Sequence, residues 1–354
     1  MTTTAPIIDT SKTLPRRFSL MALAGSAVVS FSIFTLAGTT TETGLPNLVG
    51  VAVLAFIFYM TSSYIASRAV EGKRKAADRM VTGWVTGAFT LALIPLGSLI
   101  WTVFSNGINR MDVTFFTHSM RNVLGEGGGA YHAIIGTLEL TGIATAISVP
   151  LGLLTAIYLV EYGKGRLKNA VTFFIDVMTG IPSIVAGLFA FSLFLILFGP
   201  AGAINGMAGA VSLAVLMTPV VTRATEEMLK IVPNELREAS YALGVPKWLT
   251  ILKVVIPTAL AGIATGVIIA IARVIGETAP LLLAAGFTTS VNLNPLEEKM
   301  MTLPVFVYTS YAIQGTDAQS YVDRAWAGAL TLMLIVMVLN LVARIISKIF
   351  SPKF

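Results

Sequence analysis

Long apolar stretches alternate with short polar segments along the whole chain. A stretch of roughly 20 apolar residues is long enough to cross the hydrocarbon core of a bilayer. One stretch is long enough for two crossings, and the glycines and proline of Phe198–Gly206 interrupt it. The pattern therefore predicts about eight transmembrane helices in an all-α polytopic membrane protein. The stretches free of Asp, Glu, Lys and Arg are Phe18–Thr41, Thr43–Ser67, Met80–Asn109, Leu140–Val160, Val177–Thr222, Val254–Ala272 and Ala325–Ala343.

Composition agrees with a membrane location. Of the 354 residues, 55% are hydrophobic and only 12% are charged, whereas soluble domains carry about 25% charged residues. The chain has no cysteine, which excludes disulfides, thiolate metal sites and cysteine nucleophiles. Neither a metal site nor a cofactor is expected.

The basic residues indicate how the chain is oriented. Most of the 24 lysines and arginines fall in alternate loops and at both ends of the chain, and only Arg110, Arg121, Lys299 and Arg324 lie in the other loops. The positive-inside rule then places both termini in the cytoplasm. Because this asymmetry accounts for the net charge of +6, nucleic acid is not expected as a partner.

One cytoplasmic segment, Arg223–Lys253, is long and mixed in charge. Its acidic "TEEML" is typical of a helix start. The stretch "PNELREASYAL" predicts a short helix after Pro233, and Gly244 ends it. Four of its residues repeat on one face at helical spacing, which favours docking to a protein over lying on the lipid surface. These residues are Leu236, Ala239, Ala242 and Leu243.

The same segment carries a spaced motif. "REASYALGVPKWLTILKVVIP" resembles the EAA loop of the permeases of ATP-driven (ABC) importers. The motif residues are Glu238, Ala239, Ser240, Gly244 and Pro257. The resemblance implies a coupling helix that fits a cleft on a separate ATPase subunit. The alternative interpretation is a plain connector helix with a glycine cap.

Three further stretches extend the resemblance: "GTLELTGIATAISVPLGLLTAIYLVEY", "GIPSIVAGLF" and "GETAPLLLAAG". The last is similar to the A-type of the two permeases of phosphate importers. It implies a type I six-helix permease core at residues 80–350, with the EAA coupling loop at 223–257. Residues 1–79 are then a cytoplasmic tail plus an additional two-helix hairpin.

The resemblance also implies partners and a location. We expect a multi-pass inner-membrane permease surrounded by lipid, with an ATPase subunit dimer, a second homologous permease and an external phosphate-binding protein. The chain has no G-x-x-x-x-G-K-[ST] motif, so ATP would be hydrolysed by another chain. Alternatives are a permease for sulfate or molybdate, or an ion-driven secondary carrier.

Charged residues inside an apolar region are costly and usually face each other or a polar cavity. Arg273 and Glu277 follow the stretch Val254–Ala272 at i and i+4 spacing, which predicts an ion pair on one helix face. Gly276 and Pro280 predict a weak point in that helix. An arginine fork matches phosphate oxygens, and the resemblance implies that Arg273 and Glu277 line the ion path. The alternative interpretation is a purely structural ion pair. The resemblance adds Arg223 as a second arginine on it, although an anchor at the membrane boundary explains Arg223 equally well.

Overall fold

The computed structural model describes residues 13–15, 17–38, 46–315 and 317–350. Within these residues the chain forms fourteen α-helices. They are α1 (Phe18–Leu36), α2 (Leu48–Val70), α3 (Lys73–Gly107), α4 (Val113–Thr117), α5 (Tyr131–Ile157), α6 (Gly165–Thr179), α7 (Ser183–Phe198), α8 (Gly206–Ile231), α9 (Asn234–Ala242), α10 (Lys247–Thr250), α11 (Ile256–Val274), α12 (Ala279–Ala284), α13 (Leu303–Ala312) and α14 (Ala318–Phe350). Two π-helical segments, Tyr158–Tyr162 and Ile251–Val255, follow α5 and precede α11.

The predicted all-α membrane fold is confirmed. Seven helical spans of the described chain are long and apolar enough to cross a membrane, and the pair α6 and α7 makes an eighth if it counts as one bent span. The predicted start of that span at Val177 is wrong, because α6 runs through Thr179 and the axis then turns by 108° before α7. Pro182 explains the turn, since it lacks a backbone N–H and disfavours helical geometry in the residue before it.

The chain forms two compact units, one ending at Trp101 and the other beginning at Thr102. In the first unit α1 and α2 pack together. The buried carboxylate of Glu71, directly after α2, holds the backbone of Leu14, which precedes α1. Glu71 accepts hydrogen bonds from Arg79 Nε (2.7 Å), Ser67 Oγ (2.7 Å) and the backbone N–H of Leu14 (2.9 Å). The Arg79 hydrogen bonds hold the pKa of Glu71 at about 2. The contribution of these hydrogen bonds to the free energy of unfolding is therefore complete at pH values above the ordinary glutamate pKa. It is lost as the pH falls through about 2. The domain division at residue 79 stays a prediction.

The core of the second unit is the contact between α5 and α8. Leu140, Leu213 and Met217 are fully buried in it. The Ser148 hydroxyl on α5 also donates to the Ala214 carbonyl of α8 at 3.1 Å. Small residues let the backbones approach, as is usual between membrane helices. A Cβ added at Gly152 would lie 2.7 Å from Val221 on α8.

The long segment predicted as an external connection contributes to the core. Its helix α13 buries Leu303 and Phe306 against α5 and α14. The first N–H of α13, that of Leu303, donates to Thr137 Oγ1 on α5 at 2.7 Å, so a side chain of another helix caps α13. Ten residues are too few to span a bilayer, which is why the hydropathy pattern does not reveal this helix.

Replacing Gly136 by Ala should destabilise the second unit. A Cβ at this position of α5 would lie 2.0 Å from the Met301 carbonyl oxygen, and overpacking of this kind costs about 1–3 kcal/mol. Gly142→Ala is the matched control on the same helix, because a Cβ there meets nothing within 4 Å. In thermal unfolding of the purified protein, G136A should lower the Tm and G142A should not. An equal Tm for the two variants would contradict the close packing of α5 on the α13 segment.

Candidate functional site

The segment Arg223–Lys253, predicted to be cytoplasmic, contains the predicted short helix, α9, from Asn234 to Ala242. The predicted helix start at "TEEML" is wrong, because α8 continues through these residues to Ile231. Glu226 pairs along α8 with Arg223 and with Lys230, at 2.6 and 2.7 Å. The acidic cluster therefore neutralises neighbouring cations inside a helix and begins no new one.

A tight turn joins α9 to α10. Gly244 has φ +76°, a conformation in which a Cβ is strained. The Ser240 hydroxyl is buried and shares a 2.8 Å hydrogen bond with the Thr250 hydroxyl of α10. Ser240 thus faces the protein's own next helix. The π-helical segment Ile251–Val255 then leads into α11, where the exposed Pro257 occupies the first turn.

The outer side of α9 is free in the single chain. Glu238, Ala239 and Ala242 are exposed, and so are Leu236 (38%) and Leu243 (83%). The predicted apolar face is therefore uncovered, with carboxylates beside it. Such a face suits a short amphipathic helix that docks into a groove of another protein.

Arg237, on the opposite side of α9, holds this helix to the bundle. Its guanidinium donates to Glu161 Oε1 (2.8 Å from Nη2 and 3.1 Å from Nε), to the Leu229 carbonyl (3.0 Å) and to the Val232 carbonyl (2.7 Å). Leu229 and Val232 lie at the C-terminal end of α8, where backbone carbonyls lack helical partners. Glu161 lies in the π-helical segment after α5, and its own carbonyl accepts a hydrogen bond from Lys247. One side chain therefore joins α9 to the ends of both core helices.

The predicted ion pair between Arg273 and Glu277 does not form among the described residues, since the salt bridges found there include neither residue. Helix α11 ends at Val274, so the i and i+4 positions do not share a helical face. The predicted weak point is confirmed by this break between α11 and α12. Pro280 at the start of α12 packs on Gly187 of α7, where an added Cβ would lie 2.6 Å from Pro280 Cα.

After the break, Arg273 has no ion pair within the described ranges. Its side chain is exposed in the single chain, while the adjacent Val274 and Ile275 are buried. Glu277 is half-buried. Arg273 thus presents a free guanidinium on the surface of a helix that crosses the membrane. Exposure of an arginine to lipid is costly.

Arg223 lies elsewhere and is already paired. It forms ion pairs with Glu226 on α8 and with Asp176 on α6, and it remains partly exposed. The arrangement joins α6 to the C-terminal half of α8. Arg223 and Arg273 are therefore different in kind, one held by two carboxylates and the other free of any ion pair in the described chain.

Residues 148–354 match the family model described as "Binding-protein-dependent transport system inner membrane component". The chain belongs to this family. It is a transport subunit of the inner membrane with multiple crossings. The resemblance drawn from the coupling motif is thereby confirmed.

The chain is also similar to individual transport permeases. "Phosphate transport system permease protein PstA 1" of Mycobacterium tuberculosis (strain CDC 1551 / Oshkosh) is 45% identical over 80% of this chain and 92% of the relative. The PstA protein of Yersinia pestis is 40% identical over 77% and 92%. A solved bacterial alginate ABC transporter in complex with an alginate-bound periplasmic protein shares the fold, with a TM-score of 0.54 at 14% identity. That match covers 78% of this chain and 96% of the solved one.

The sequence alone did not reveal the Arg237–Glu161 pair. In the sequence Arg237 is only one of many basic residues in the loops predicted to be cytoplasmic, and Glu161 lies 76 positions away. A signal does exist, because an arginine at the second turn of a short amphipathic helix faces away from the exposed apolar side. Only the folded chain shows which carboxylate it meets.

Arg237→Met should loosen the coupling segment. The substitution leaves Glu161, which is 6% exposed, buried without its partner, and breaking a buried pair costs about 3–5 kcal/mol. We expect amide hydrogen exchange in α9 and in Tyr158–Tyr162 to accelerate at least about a hundredfold. Arg166→Met, which removes an exposed arginine of α6, is the control. Unchanged amide hydrogen exchange in R237M would contradict the conclusion that Arg237 holds α9 to the ends of α5 and α8.

Proposed function

We propose that this chain is a permease subunit of an ATP-driven phosphate importer and forms half of the path of the ion. The named relatives, which carry that role in their names at 40–45% identity, support phosphate as the cargo. The observation that carries the proposal is Arg273, an exposed guanidinium without an ion pair in the described chain, on a membrane helix that carries no other charge. A guanidinium offers several donors in a fork that fits phosphate oxygens.

The path contains Arg273, Glu277 and, further toward the cytoplasm, Arg223. Arg273 attracts the anion, and Glu277, half-buried after the helix break, limits how tightly it is held, since passage requires release as well as entry. At Arg223 the anion would have to displace Asp176 or Glu226 from the guanidinium. That competition makes Arg223 a weaker site and favours release into the cytoplasm.

The energy comes from other chains. An ATPase subunit dimer binds the exposed face of α9, with Glu238, Ala239 and Gly244 at the contact and with Ser240 and Pro257 shaping the segment behind it. A second homologous permease completes the path, and an external phosphate-binding protein delivers the ion. Both termini lie in the cytoplasm, as the distribution of basic residues supports. ATP binding moves α9, and Arg237 transmits the movement to the ends of α5 and α8.

Arg273→Ala should abolish most phosphate uptake while the complex still assembles. Charged hydrogen bonds of the kind lost here contribute about 1.5–3 kcal/mol, so we expect uptake of labelled phosphate to fall tenfold to about a hundredfold. Arg273→Lys keeps the charge without the fork and should be intermediate. Arg166→Ala is the control for loss of one exposed arginine. Inhibition of labelled phosphate uptake by excess sulfate or molybdate would show whether those ions share the path. Normal phosphate uptake by R273A would exclude Arg273 from the path.

Glu238→Lys and Gly244→Val should weaken attachment of the ATPase. The first reverses a charge on the exposed face of α9, and the second strains a turn that requires φ +76°. We expect less ATPase to co-purify with either variant and uptake to fall in proportion. Glu227→Lys, an equal charge reversal at an exposed position of α8, should leave both unchanged. Full co-purification and full uptake in the two α9 variants would refute the proposed docking face.

A further inference from the structure

The core helix α5 contains a single residue of the types Asp, Glu, Lys and Arg, which is Glu139. It follows Tyr131, the first residue of α5, by two turns of helix, a rise of about 12 Å. The carboxylate is half-buried, and within the described ranges it forms no ion pair and no hydrogen bond. An ionisable side chain inside a membrane span is costly and marks a functional site by default.

Three other carboxylates of the chain are more deeply buried, and each of them has a basic partner. The side chains of Glu71, Glu161 and Glu226 are 2%, 6% and 8% exposed. Their partners are Arg79 for the first, Arg237 for the second, and Arg223 with Lys230 for the third. At Glu139 the described part of the chain supplies no such counter-charge, so the cost of its position is not offset by an ion pair.

Glu139 lies on the side of α5 that faces away from α8. Leu140 and Ser148 contact α8 from the opposite side. Gly142 and Ala146 follow Glu139 at i+3 and i+7, so the three residues share one helix face, and both small residues are exposed. A Cβ added at Gly142 would meet nothing within 4 Å. The carboxylate therefore borders open space beside small residues.

The position of Glu139 along the bundle is given by its neighbour Leu140. A Cβ added at Gly209 of α8 would lie 2.9 Å from Leu140 Cδ2 on α5 and 3.3 Å from Leu281 Cδ2 on α12. Glu139 is therefore level with α12, the short helix that follows the break after α11.

Arg273 lies at a different depth on the same side of the core. Its helix α11 packs on α8 at Gly266, where an added Cβ would lie 2.6 Å from Ala224 Cβ. Counting helical rise from this contact along α11 to Arg273, and along α8 to Gly209, places Glu139 about 12 Å from Arg273 along the bundle. Because α8 begins outside in the predicted topology, Glu139 is on the external side of Arg273.

A carboxylate at the external approach to a guanidinium distinguishes oxyanions by their protons. An ionised carboxylate can only accept hydrogen bonds. Near neutral pH, phosphate retains at least one proton on its oxygens and can donate it to a carboxylate. Sulfate retains none, so its oxygens would face the carboxylate as like charges without a donor between them. Sites built to bond a substrate hydroxyl reject analogues that lack it.

We propose that Glu139 is a specificity-determining residue of the ion path, where it accepts a hydrogen bond from the protonated oxygen of an oxyanion on its way to Arg273. This inference rests on the proposed function and narrows its substrate class to oxyanions that keep a proton at neutral pH. Phosphate and arsenate belong to this class, and sulfate does not. The residue repels the fully deprotonated ion and leaves attraction of the charge to Arg273.

The test uses the purified complex of the two permeases and the ATPase without the external binding protein, so that the binding protein does not select the anion. The melting temperature of the complex is measured against increasing phosphate, arsenate or sulfate, because a ligand that prefers the folded state raises it. In the wild type, phosphate and arsenate should act at concentrations at least about tenfold lower than sulfate.

Glu139→Gln should remove this preference, because the amide also donates hydrogen bonds and carries no charge. The concentration of sulfate that is needed should fall at least about tenfold relative to that of arsenate. Glu126→Gln, which removes an exposed carboxylate from the predicted external loop, is the matched control and should keep the preference. If the E139Q complex does not assemble, Glu139→Ser replaces it with the same expected loss, since a hydroxyl likewise donates.

A lost preference in E139Q with a preserved preference in E126Q supports the role of Glu139. An equal response of the wild type to the three anions, or an unchanged preference in E139Q, would overturn it. The proposed function would survive that outcome if R273A still lowers phosphate uptake. Poorer co-purification of the second permease with E139Q, at an unchanged preference, would show that Glu139 pairs with that chain and would also overturn the inference.

Discussion

The Arg237 guanidinium links the short helix α9 to the ends of the core helices α5 and α8. It satisfies carbonyls at the C-terminal end of α8 and the Glu161 carboxylate after α5 at the same time. Both partners of the ion pair are largely buried, at 12% and 6% exposure. A buried ion pair is favourable only when its geometry is good and the remaining polar atoms of both groups are hydrogen-bonded. The Arg237 guanidinium meets this requirement, because it also donates to the Leu229 and Val232 carbonyls. The position of α9 is therefore set by a contact that tolerates little displacement.

This contact explains how a movement at the membrane surface can reach the core. The helices α5 and α8, whose ends Arg237 joins, also form the main packed interface of the second unit, through Leu140, Leu213 and Met217. Tightly packed interiors move as units because they have few voids to absorb a displacement. Ser240 of α9 also shares a hydrogen bond with Thr250 of α10. The π-helical segment Ile251–Val255 then connects α10 to α11. A force on α9 thus acts on three membrane helices.

A different constraint, the pairing of backbone polar groups, applies to the break between α11 and α12. Inside a bilayer every backbone polar group needs a partner, so irregular backbone is tolerated only where protein or a cavity surrounds it. Pro280 packs against Gly187, which covers one side of the break. The other side presents Arg273 outward. The same local geometry that separates Arg273 from Glu277 leaves the guanidinium without an ion pair in the described part of the chain.

The apolar spans, the two-sided charge distribution and the helix α9 were all evident in the sequence, because each follows from local composition and helical spacing. Family membership followed from the spacing of Glu238, Gly244 and Pro257. The partner of Arg237, the inward direction of Ser240 and the burial of α13 depended on residues far away in the chain, so only the tertiary structure decided them. The Arg273–Glu277 pairing failed for the same reason. Helical spacing assumes an unbroken helix, and the helix ends at Val274, beside the packed Pro280.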